Sequence, residues 1–160
     1  RDRPEMWAID PSGSGDITET HIEWKETKRM PPRASPIFFK GLLFVVDRNG
    51  YISCLEAKTG KSLWQKRMKG RFSASPVLAN DLLYFFNEDT VCTIIKPVKE
   101  LIIVAENKLS DGKLLATPAF DENSIYIRTE NNLYRIKDHR FNTNQSSSCE
   151  YISPNFEFLY

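Results

Sequence analysis

A repeat of about forty residues constrains the fold of this chain more than any other feature. Ala-Ser-Pro at 34–36 and 74–76 and Ala-Thr-Pro at 116–118 place three prolines 40 and then 42 residues apart. Each tripeptide is followed by an apolar alternating run, a polar turn and a second apolar run. Short runs rich in Val, Ile, Tyr and Phe that end in Asn, Asp, Gly or Pro are typical of antiparallel β-hairpins. The repeat therefore predicts an all-β chain built from similar units.

The number of strands in each unit indicates the architecture. The pattern predicts two strands before Met30, four in each of the next two units and three in the last. Four short strands in a repeat of 40 to 42 residues match one blade of a β-propeller, as in WD40-like repeats. We predict an all-β, β-propeller fragment of about three to four four-stranded antiparallel blades. The repeat units lie near residues 6–33, 34–73, 74–115 and 116–137.

The strand count also bears on what surrounds these blades. Closed propellers have about four to eight blades, so we expect residues 1–140 to be the C-terminal part of a larger propeller. Its exposed blade edges would allow self-association. The chain begins at Arg1 without an apolar leader, which leaves an earlier segment open. Residues 141–160 are rich in Asn, Gln and Ser, which predicts a flexible polar tail.

Charge and composition disfavour several classes of function. The 22 basic and 21 acidic residues give a formal net charge of +1, which offers no electrostatic footprint for nucleic acid. No apolar run reaches the roughly 18 residues that a transmembrane helix needs. Cys54, Cys92 and Cys149 are scattered without CxxC spacing, so neither a disulfide framework nor a zinc site is expected. Cys54 and Cys92 lie in apolar runs and are predicted to be small buried side chains.

Two stretches carry a resemblance to a known family. CLEAKTGKSLWQKR at 54–67, followed by FSASPVLANDLLYFF at 72–86, resembles the PQQ-like β-propeller repeat proteins. WAIDPSGSGDITETHIEWKE at 7–26 is similar to their bacterial branch that takes part in outer-membrane assembly. In this family a Trp docks between neighbouring blades against a turn that bears Gly. The resemblance implies that Trp24 and Trp64 are docking residues and that Gly60 lets the ring approach. The next unit departs from this pattern, with Val104 at the Trp position and KPVKE in place of the Thr-Gly turn.

The stretch DPSGSGDITETHIEW at 10–24 suggests either a calcium loop or a connector between two strands. Asp10, Ser12, Ser14, Gly15 and Asp16 fall where a calcium-binding loop places oxygen ligands and its turn glycine. However, His21 occupies the position where a bidentate Glu normally closes the coordination. We therefore favour the connector and predict no metal site.

Other residues with catalytic potential favour structural interpretations. His21 and His139 are the only histidines, and neither has a positioned partner in the sequence, so exposed or satisfied side chains are expected. Ser35, Ser75 and Thr117 recur at one repeat position without the G-x-S-x-G pattern, so we predict backbone fixtures and not nucleophiles. PQQ-dependent dehydrogenases are described as placing two adjacent cysteines over the quinone, and this chain has no such pair. No catalytic or cofactor-binding residue and no cofactor are predicted.

Basic and aromatic clusters each allow two interpretations. KETKRMPPR at 25–33 and WQKRMKGR at 64–71 are predicted to form a solvated rim, the alternative being a patch for an acidic partner or an anionic glycan. The pairs at 38–39 and 85–86, all Phe, place one ring on each face of a strand. We predict that both rings of each pair are buried between stacked blades, the alternative being a ligand platform.

These patterns favour a non-enzymatic β-propeller scaffold that recognises a protein or carbohydrate partner. The alternative is a PQQ- and calcium-dependent, quinoprotein-type oxidoreductase whose active site lies mostly outside these residues. A sensor ectodomain is a third possibility. The family resemblance alone implies an extracytoplasmic location, periplasmic or secreted.

Overall fold

The computed structural model describes residues 4–122 and 124–137. Within these residues the regular secondary structure consists of β-strands, with no helix. Thirteen strands within these residues form four antiparallel sheets. The first sheet contains β1 (Met6–Ile9) and β2 (Ile22–Glu26). The second contains β3 (Ile37–Phe39), β4 (Leu42–Val46), β5 (Tyr51–Glu56) and β6 (Ser62–Arg67). The third contains β7 (Val77–Ala79), β8 (Leu82–Phe86), β9 (Val91–Ile95) and β10 (Ile103–Lys108). The fourth contains β11 (Ala119–Phe120), β12 (Ser124–Arg128) and β13 (Leu133–Lys137).

The strand order within each sheet follows the order along the chain. Two, four, four and three strands occur in succession, so the predicted all-β class and strand count are confirmed. Among the described residues, no helix has the length and apolar character needed to cross a membrane. The boundaries of the repeat units remain predictions, and the predicted tail at 141–160 lies outside the described residues.

Tight turns with positive φ join the first two strands of the two four-stranded sheets. Lys40 and Gly41, with φ of 47° and 81°, separate β3 from β4. Asn80 and Asp81, with φ of 47° and 56°, separate β7 from β8. Two successive positive φ values characterise the hairpin turns whose twist matches that of the flanking strands. Equivalent local geometry therefore recurs at equivalent repeat positions.

The third sheet is buried on both faces because it packs against two other sheets. Leu83 and Phe85 belong to one core cluster with Phe44 of the second sheet. Tyr84 belongs to a second cluster that includes Ile125 of the fourth sheet. Since side chains along a strand alternate between the faces, packing on both sides buries all five residues of β8. Contact between neighbouring sheets thus forms the core of the molecule.

Two cysteines lie inside these clusters. Cys54 belongs to the cluster between the second and third sheets, and Cys92 to the cluster between the third and fourth. Both are free thiols, and burial raises the pKa of Cys54 to about 11 and raises that of Cys92 further. The prediction of small buried side chains is confirmed for both, while Cys149 lies outside the described residues.

The prediction for the two aromatic pairs is correct for one pair and wrong for one ring of the other. Phe85 and Phe86 are 1% and 3% exposed, as predicted. Phe39 packs against the core, but Phe38 is 64% exposed. β3 is the edge strand of its sheet and pairs only with β4. The first sheet contacts this face through Met6, in one cluster with Leu43, but it has only two strands. Burial of both faces therefore does not extend to this strand.

We expect Phe85→Ala to lower the free energy of unfolding by about 3–5 kcal/mol, because it opens a cavity between two sheets. Phe38→Ala removes the same atoms from an exposed position and should change it by no more than about 0.5 kcal/mol. Urea denaturation of both variants measures the difference. Equal effects of the two substitutions would contradict the described burial.

Candidate functional site

Trp24 joins the first sheet to the second. Its indole Nε1 donates a hydrogen bond to the carbonyl of Ala57, at 3.0 Å, in the turn between β5 and β6. Gly60 lies in the same turn with φ of +71°, and a Cβ atom built on it would stand 2.7 Å from Trp24 Cδ2. Only glycine leaves room for the ring at this position. The structure therefore brings together two of the three residues that the family resemblance singled out, and their docking role remains a prediction.

Trp64 has different surroundings. Its ring is half-buried, with its centroid 6.2 Å from that of Phe44, and it packs against the cluster between the second and third sheets. Its indole Nε1 is buried and has no hydrogen-bond partner among the described residues. Leu101 packs against the same cluster and follows the turn that carries KPVKE instead of Thr-Gly. The contact of Trp24 is thus not repeated with the same hydrogen bonding, and docking by Trp64 also remains a prediction.

The stretch with partial calcium-loop character joins β1 to β2. Asp10 Oδ1 accepts a hydrogen bond from the Ser12 amide at 2.9 Å, and Asp16 Oδ1 accepts one from the Thr18 amide at 3.0 Å. Hydrogen bonds from the amide and side chain of Ser12 lower the pKa of Asp10, and those from the side chain and amide of Thr18 lower the pKa of Asp16. The carbonyl of His21 accepts from the Asp10 amide, which closes the loop at its base. Each carboxylate therefore shapes its own turn, as expected of a connector.

No group of three or more His, Cys, Asp or Glu side chains within residues 4–122 and 124–137 is arranged to hold a metal ion. His21 Nδ1 lies 2.7 Å from Thr20 Oγ1, the hydroxyl of its neighbour in the chain. The second histidine, His139, lies outside the described residues.

Residues before the repeated prolines link neighbouring sheets. Ser75 Oγ accepts a hydrogen bond from the Ser35 amide at 2.8 Å, and Thr117 Oγ1 accepts one from the Ser75 amide at 2.9 Å. The three residues stand just before β3, β7 and β11, so each bond runs from one unit to the next. This chain of hydroxyls and amides gives a physical reason for the repeated Ser or Thr. Their assignment as backbone fixtures is confirmed for the hydroxyls of Ser75 and Thr117.

Three further polar residues organise the turns between the second and third strands of the last three sheets. Asp47 Oδ1 accepts from the amides of Asn49 and Tyr51, and Asn87 Oδ1 accepts in the same way from the amides two and four residues later. Thr129 Oγ1 accepts from the amide of Asn132. Asp47, Asn87 and Thr129 are 40 and 42 residues apart, as are the three repeated prolines. This shared spacing could have identified the three turn positions from the sequence.

The linkers between sheets lie against these turns. The Phe72 amide donates to the carbonyl of Arg48 at 3.1 Å, and the Leu114 amide donates to the carbonyl of Glu88, also at 3.1 Å. Asn87 Nδ2 also donates to the carbonyl of Lys69 at 3.0 Å. Linkers and turns therefore meet at one end of the stacked sheets, which we call the linker end.

Asp111 forms a hydrogen-bonded hub at the linker end. Its carboxylate accepts hydrogen bonds from the side chains of Thr129, Asn131, Asn132 and Tyr134. The four donors hold the pKa of Asp111 well below its ordinary value. The linker before the fourth sheet is thereby fastened to the turn between β12 and β13. Reasoning from sequence missed this hub, because its donors are spread over a turn and a strand of another hairpin.

The two basic runs of the sequence meet at the linker end. The guanidinium carbon of Arg29 lies 3.3 Å from the ring centroid of Tyr51, and that of Arg67 lies 5.7 Å from the same centroid. Both arginines are exposed, as the prediction of a solvated rim requires. The structure adds that residues from two separate runs share one aromatic ring.

Successive antiparallel sheets that pack face to face and share repeated linker contacts define part of a β-propeller. Residues 5–96, more than half of the chain, match the family described as outer membrane protein assembly factor BamB. The chain belongs to this family of PQQ-like β-propeller repeats. The resemblance noted in the sequence is therefore confirmed.

Solved structures share the fold. BamB from Moraxella catarrhalis aligns with a TM-score of 0.61 and 16% identity over 75% of this chain and 35% of that protein. The quinohemoprotein alcohol dehydrogenase ADHIIG from Pseudomonas putida HK5 aligns with a TM-score of 0.57 and 13% identity, covering 67% of this chain and 24% of the enzyme. A europium-containing methanol dehydrogenase gives a TM-score of 0.52 and 15% identity, covering 68% and 22%.

These identities show a common fold alone. The chain spans between 22% and 35% of the length of the three structures, so it corresponds to part of a propeller. No curated protein matches the chain.

Gly60→Ala tests the contact with Trp24, and Gly41→Ala is its matched control. Both residues have positive φ, but a Cβ atom on Gly41 meets nothing within 4 Å. We expect Gly60→Ala to cost about 1–3 kcal/mol more than the control, because the methyl group displaces the indole. Thermal and urea denaturation measure the two costs. If both substitutions cost the same, the ring does not depend on the absence of a side chain at position 60.

Asp111 should influence stability as a function of pH. Because the pKa of Asp111 is lower in the folded state than its ordinary value of 3.8, its carboxylate stabilises the fold above pH 3.8, and this contribution fades as the pH falls below it. We expect Asp111→Asn to destabilise the protein at neutral pH and to weaken the acid dependence of unfolding between about pH 4 and pH 2. Denaturation at a series of pH values measures this. Asp89→Asn makes the same charge change at an exposed site, and an identical pH profile for both variants would contradict the hub.

Proposed function

We propose that the chain is part of a non-enzymatic β-propeller scaffold that recognises a protein or glycan partner through its linker end. The observation that carries this proposal is the set of bonds that fastens the loops there to one another. Ser75 and Thr117 link successive units, and the amides of Phe72 and Leu114 tie two linkers to neighbouring turns. Charged side chains in the same segments, such as Arg48 and Arg71, remain exposed.

This arrangement suits recognition for two physical reasons. Loops held by a rigid scaffold are the usual place for binding residues. A surface that is already ordered loses little conformational entropy on binding, so more of the contact energy is available for affinity. Backbone groups of these loops are engaged with one another, whereas charged side chains such as those of Arg48 and Arg71 are exposed to solvent.

Membership of the family supports the same conclusion. The matching family is described as an outer membrane protein assembly factor, which is a role in assembly. We propose by analogy that this protein also acts outside the cytoplasm as an assembly or recognition component. The buried thiols of Cys54 and Cys92 are compatible with that location, because burial and a raised pKa make a cysteine unreactive.

We further propose that each repeat unit, near 6–33, 34–73, 74–115 and 116–137, contributes one blade. In this proposal Trp24 on Gly60 is the contact between the first two blades, and Trp64 serves the interface between the second and third. The geometry of the Trp24 contact and the core packing of Trp64 support these roles.

The alternative of a quinoprotein-type oxidoreductase is tested by titrating the intact protein with PQQ and Ca²⁺ in a calorimeter. A PQQ-dependent alcohol dehydrogenase in its cofactor-free form is the positive control. We expect no saturable heat from this protein and no dye-linked oxidation of alcohols. Stoichiometric binding accompanied by such oxidation would overturn the proposal of a non-enzymatic scaffold.

A further inference from the structure

Part of the linker end is strongly basic. Seven exposed cationic side chains stand on the linker before β3, the turn between β4 and β5, and the segment from the end of β6 into the next linker. They are Lys28, Arg29, Arg33, Arg48, Arg67, Lys69 and Arg71. We call this group the basic end. Since the whole chain has a formal net charge of only +1, the residues outside this group carry an excess of acidic side chains.

Backbone and ring contacts hold the three segments of the basic end together. Arg29, which precedes Tyr51 in the chain, and Arg67, which follows it, both lie over the ring of Tyr51. The Met68 amide donates to the carbonyl of Gly50 at 2.8 Å, which fixes the end of β6 against the turn. A Cβ atom on Gly50 would stand 2.6 Å from the carbonyl oxygen of Met68, so the two segments are in close contact. The cations are therefore brought together by contacts between three separate segments, and not by closeness along the chain.

Stacking on Tyr51 orients the guanidinium groups without using their hydrogen-bond donors. A guanidinium presents five N–H donors in a plane that fits a carboxylate through two parallel bonds. Among the described residues, neither Arg29 nor Arg67 forms an ion pair or a side-chain hydrogen bond. Cation–π contact with the ring restrains both side chains and lowers the entropy lost when a ligand binds.

The carboxylates nearest to these segments are already engaged. Asp47 is 5% exposed, and its Oδ1 accepts from two backbone amides of its own turn. Glu88, on the neighbouring turn, accepts from the hydroxyl of Ser73 at 2.7 Å. The Glu88 amide donates to the carbonyl of Arg71 at 2.6 Å, but neither carboxylate bonds to a guanidinium of the basic end. The cations are therefore available for an external anion.

We propose that the basic end binds an acidic segment of a partner protein, in which neighbouring Asp or Glu carboxylates are held by Arg29 and Arg67. This inference rests on the proposed recognition function and adds the chemistry of the partner. Arg48, Lys69 and Arg71 extend the positive surface beyond the arginine pair, so a run of several acidic residues fits better than a single one. The complementary charges would also speed association at low ionic strength.

The distribution of apolar side chains favours a protein segment over an anionic membrane. Surfaces that bind membranes combine basic residues with exposed aromatic or aliphatic side chains that enter the lipid. None of the large exposed apolar side chains of the described residues lies within residues 27–33, 47–51 or 67–72. The basic end therefore has the charge that an anionic membrane attracts but lacks the anchors that hold a protein on it.

The test measures binding of a fluorescein-labelled decaglutamate peptide to the intact protein by fluorescence anisotropy. The variant Arg29→Gln/Arg67→Gln removes the two arginines that lie over Tyr51. The control Lys58→Gln/Lys61→Gln removes two exposed charges from the turn between β5 and β6, at the end of these strands opposite Tyr51 and Arg67. We expect the first variant to raise Kd by about tenfold or more, and the control by about twofold or less. Raising the salt concentration should weaken binding by the unchanged protein more than binding by the arginine variant.

The variant Arg29→Lys/Arg67→Lys separates charge from geometry and guards against misfolding. It keeps both charges but loses the planar fork, so an intermediate Kd is expected from a folded protein with an unchanged thermal transition. Equal weakening by the arginine and control variants would overturn the proposal, and so would the absence of peptide binding. Arginine-dependent binding to phosphatidylglycerol vesicles but not to the peptide would assign the surface to a membrane instead. The quinone titration does not depend on these results, so the two proposals fail separately.

Discussion

Packing of one sheet against the next is the interaction on which the rest of the structure depends. A sheet of four short strands has two faces and cannot cover both of them by itself. β8 lies between two neighbouring sheets, and all five of its residues are buried. β13, in the last sheet described, alternates between exposed and half-buried positions. β12, which holds the same second place in the last sheet as β8 in the third, keeps one half-buried and one exposed residue. Burial of the second strand is thus complete where sheets pack on both faces, as in other repeat proteins whose units contact only their neighbours.

The same packing determines the linker end. Because similar sheets stack in similar ways, equivalent residues of successive units come within hydrogen-bonding distance of one another. Ser75 and Thr117 accept from the amides of the preceding unit, and Phe72 and Leu114 donate to the turns beneath them. Recognition is proposed to use a surface that the stacking of the sheets has already ordered. The individual charges on that surface differ between units, which gives the otherwise repetitive structure a basic region near Tyr51.

Features that repeat along the chain could be predicted from the sequence. The spacing of Pro36, Pro76 and Pro118 identified the units, and the apolar runs between them gave the correct number of strands in each sheet. The contact between Trp24 and Gly60 was anticipated only through the family resemblance, because nothing in their spacing alone indicates that the ring needs a position without a side chain.

Features that depend on contacts between units could not be predicted. Phe38 and Phe85 both stand in short apolar runs, but Phe38 lies on an edge strand next to a two-stranded sheet, whereas Phe85 lies on an inner strand that is buried on both faces. The Asp111 hub and the pair of arginines over Tyr51 join residues 16 to 23 positions apart, from segments that become neighbours only when the hairpins have formed. A pattern of hydrophobic and polar residues does not specify such pairings, since it gives the faces of a strand but not their partners.

Native-state hydrogen exchange at increasing denaturant would test most directly whether the sheets stabilise one another. Phe44 and Phe85 lie in central strands of neighbouring sheets and share one core cluster. If mutual packing maintains both sheets, their amides should exchange through a common opening with the same free energy and the same dependence on denaturant. Exchange of the Phe44 amide through a separate opening, while that of Phe85 stays protected, would show that the sheets are stable independently and would contradict this account.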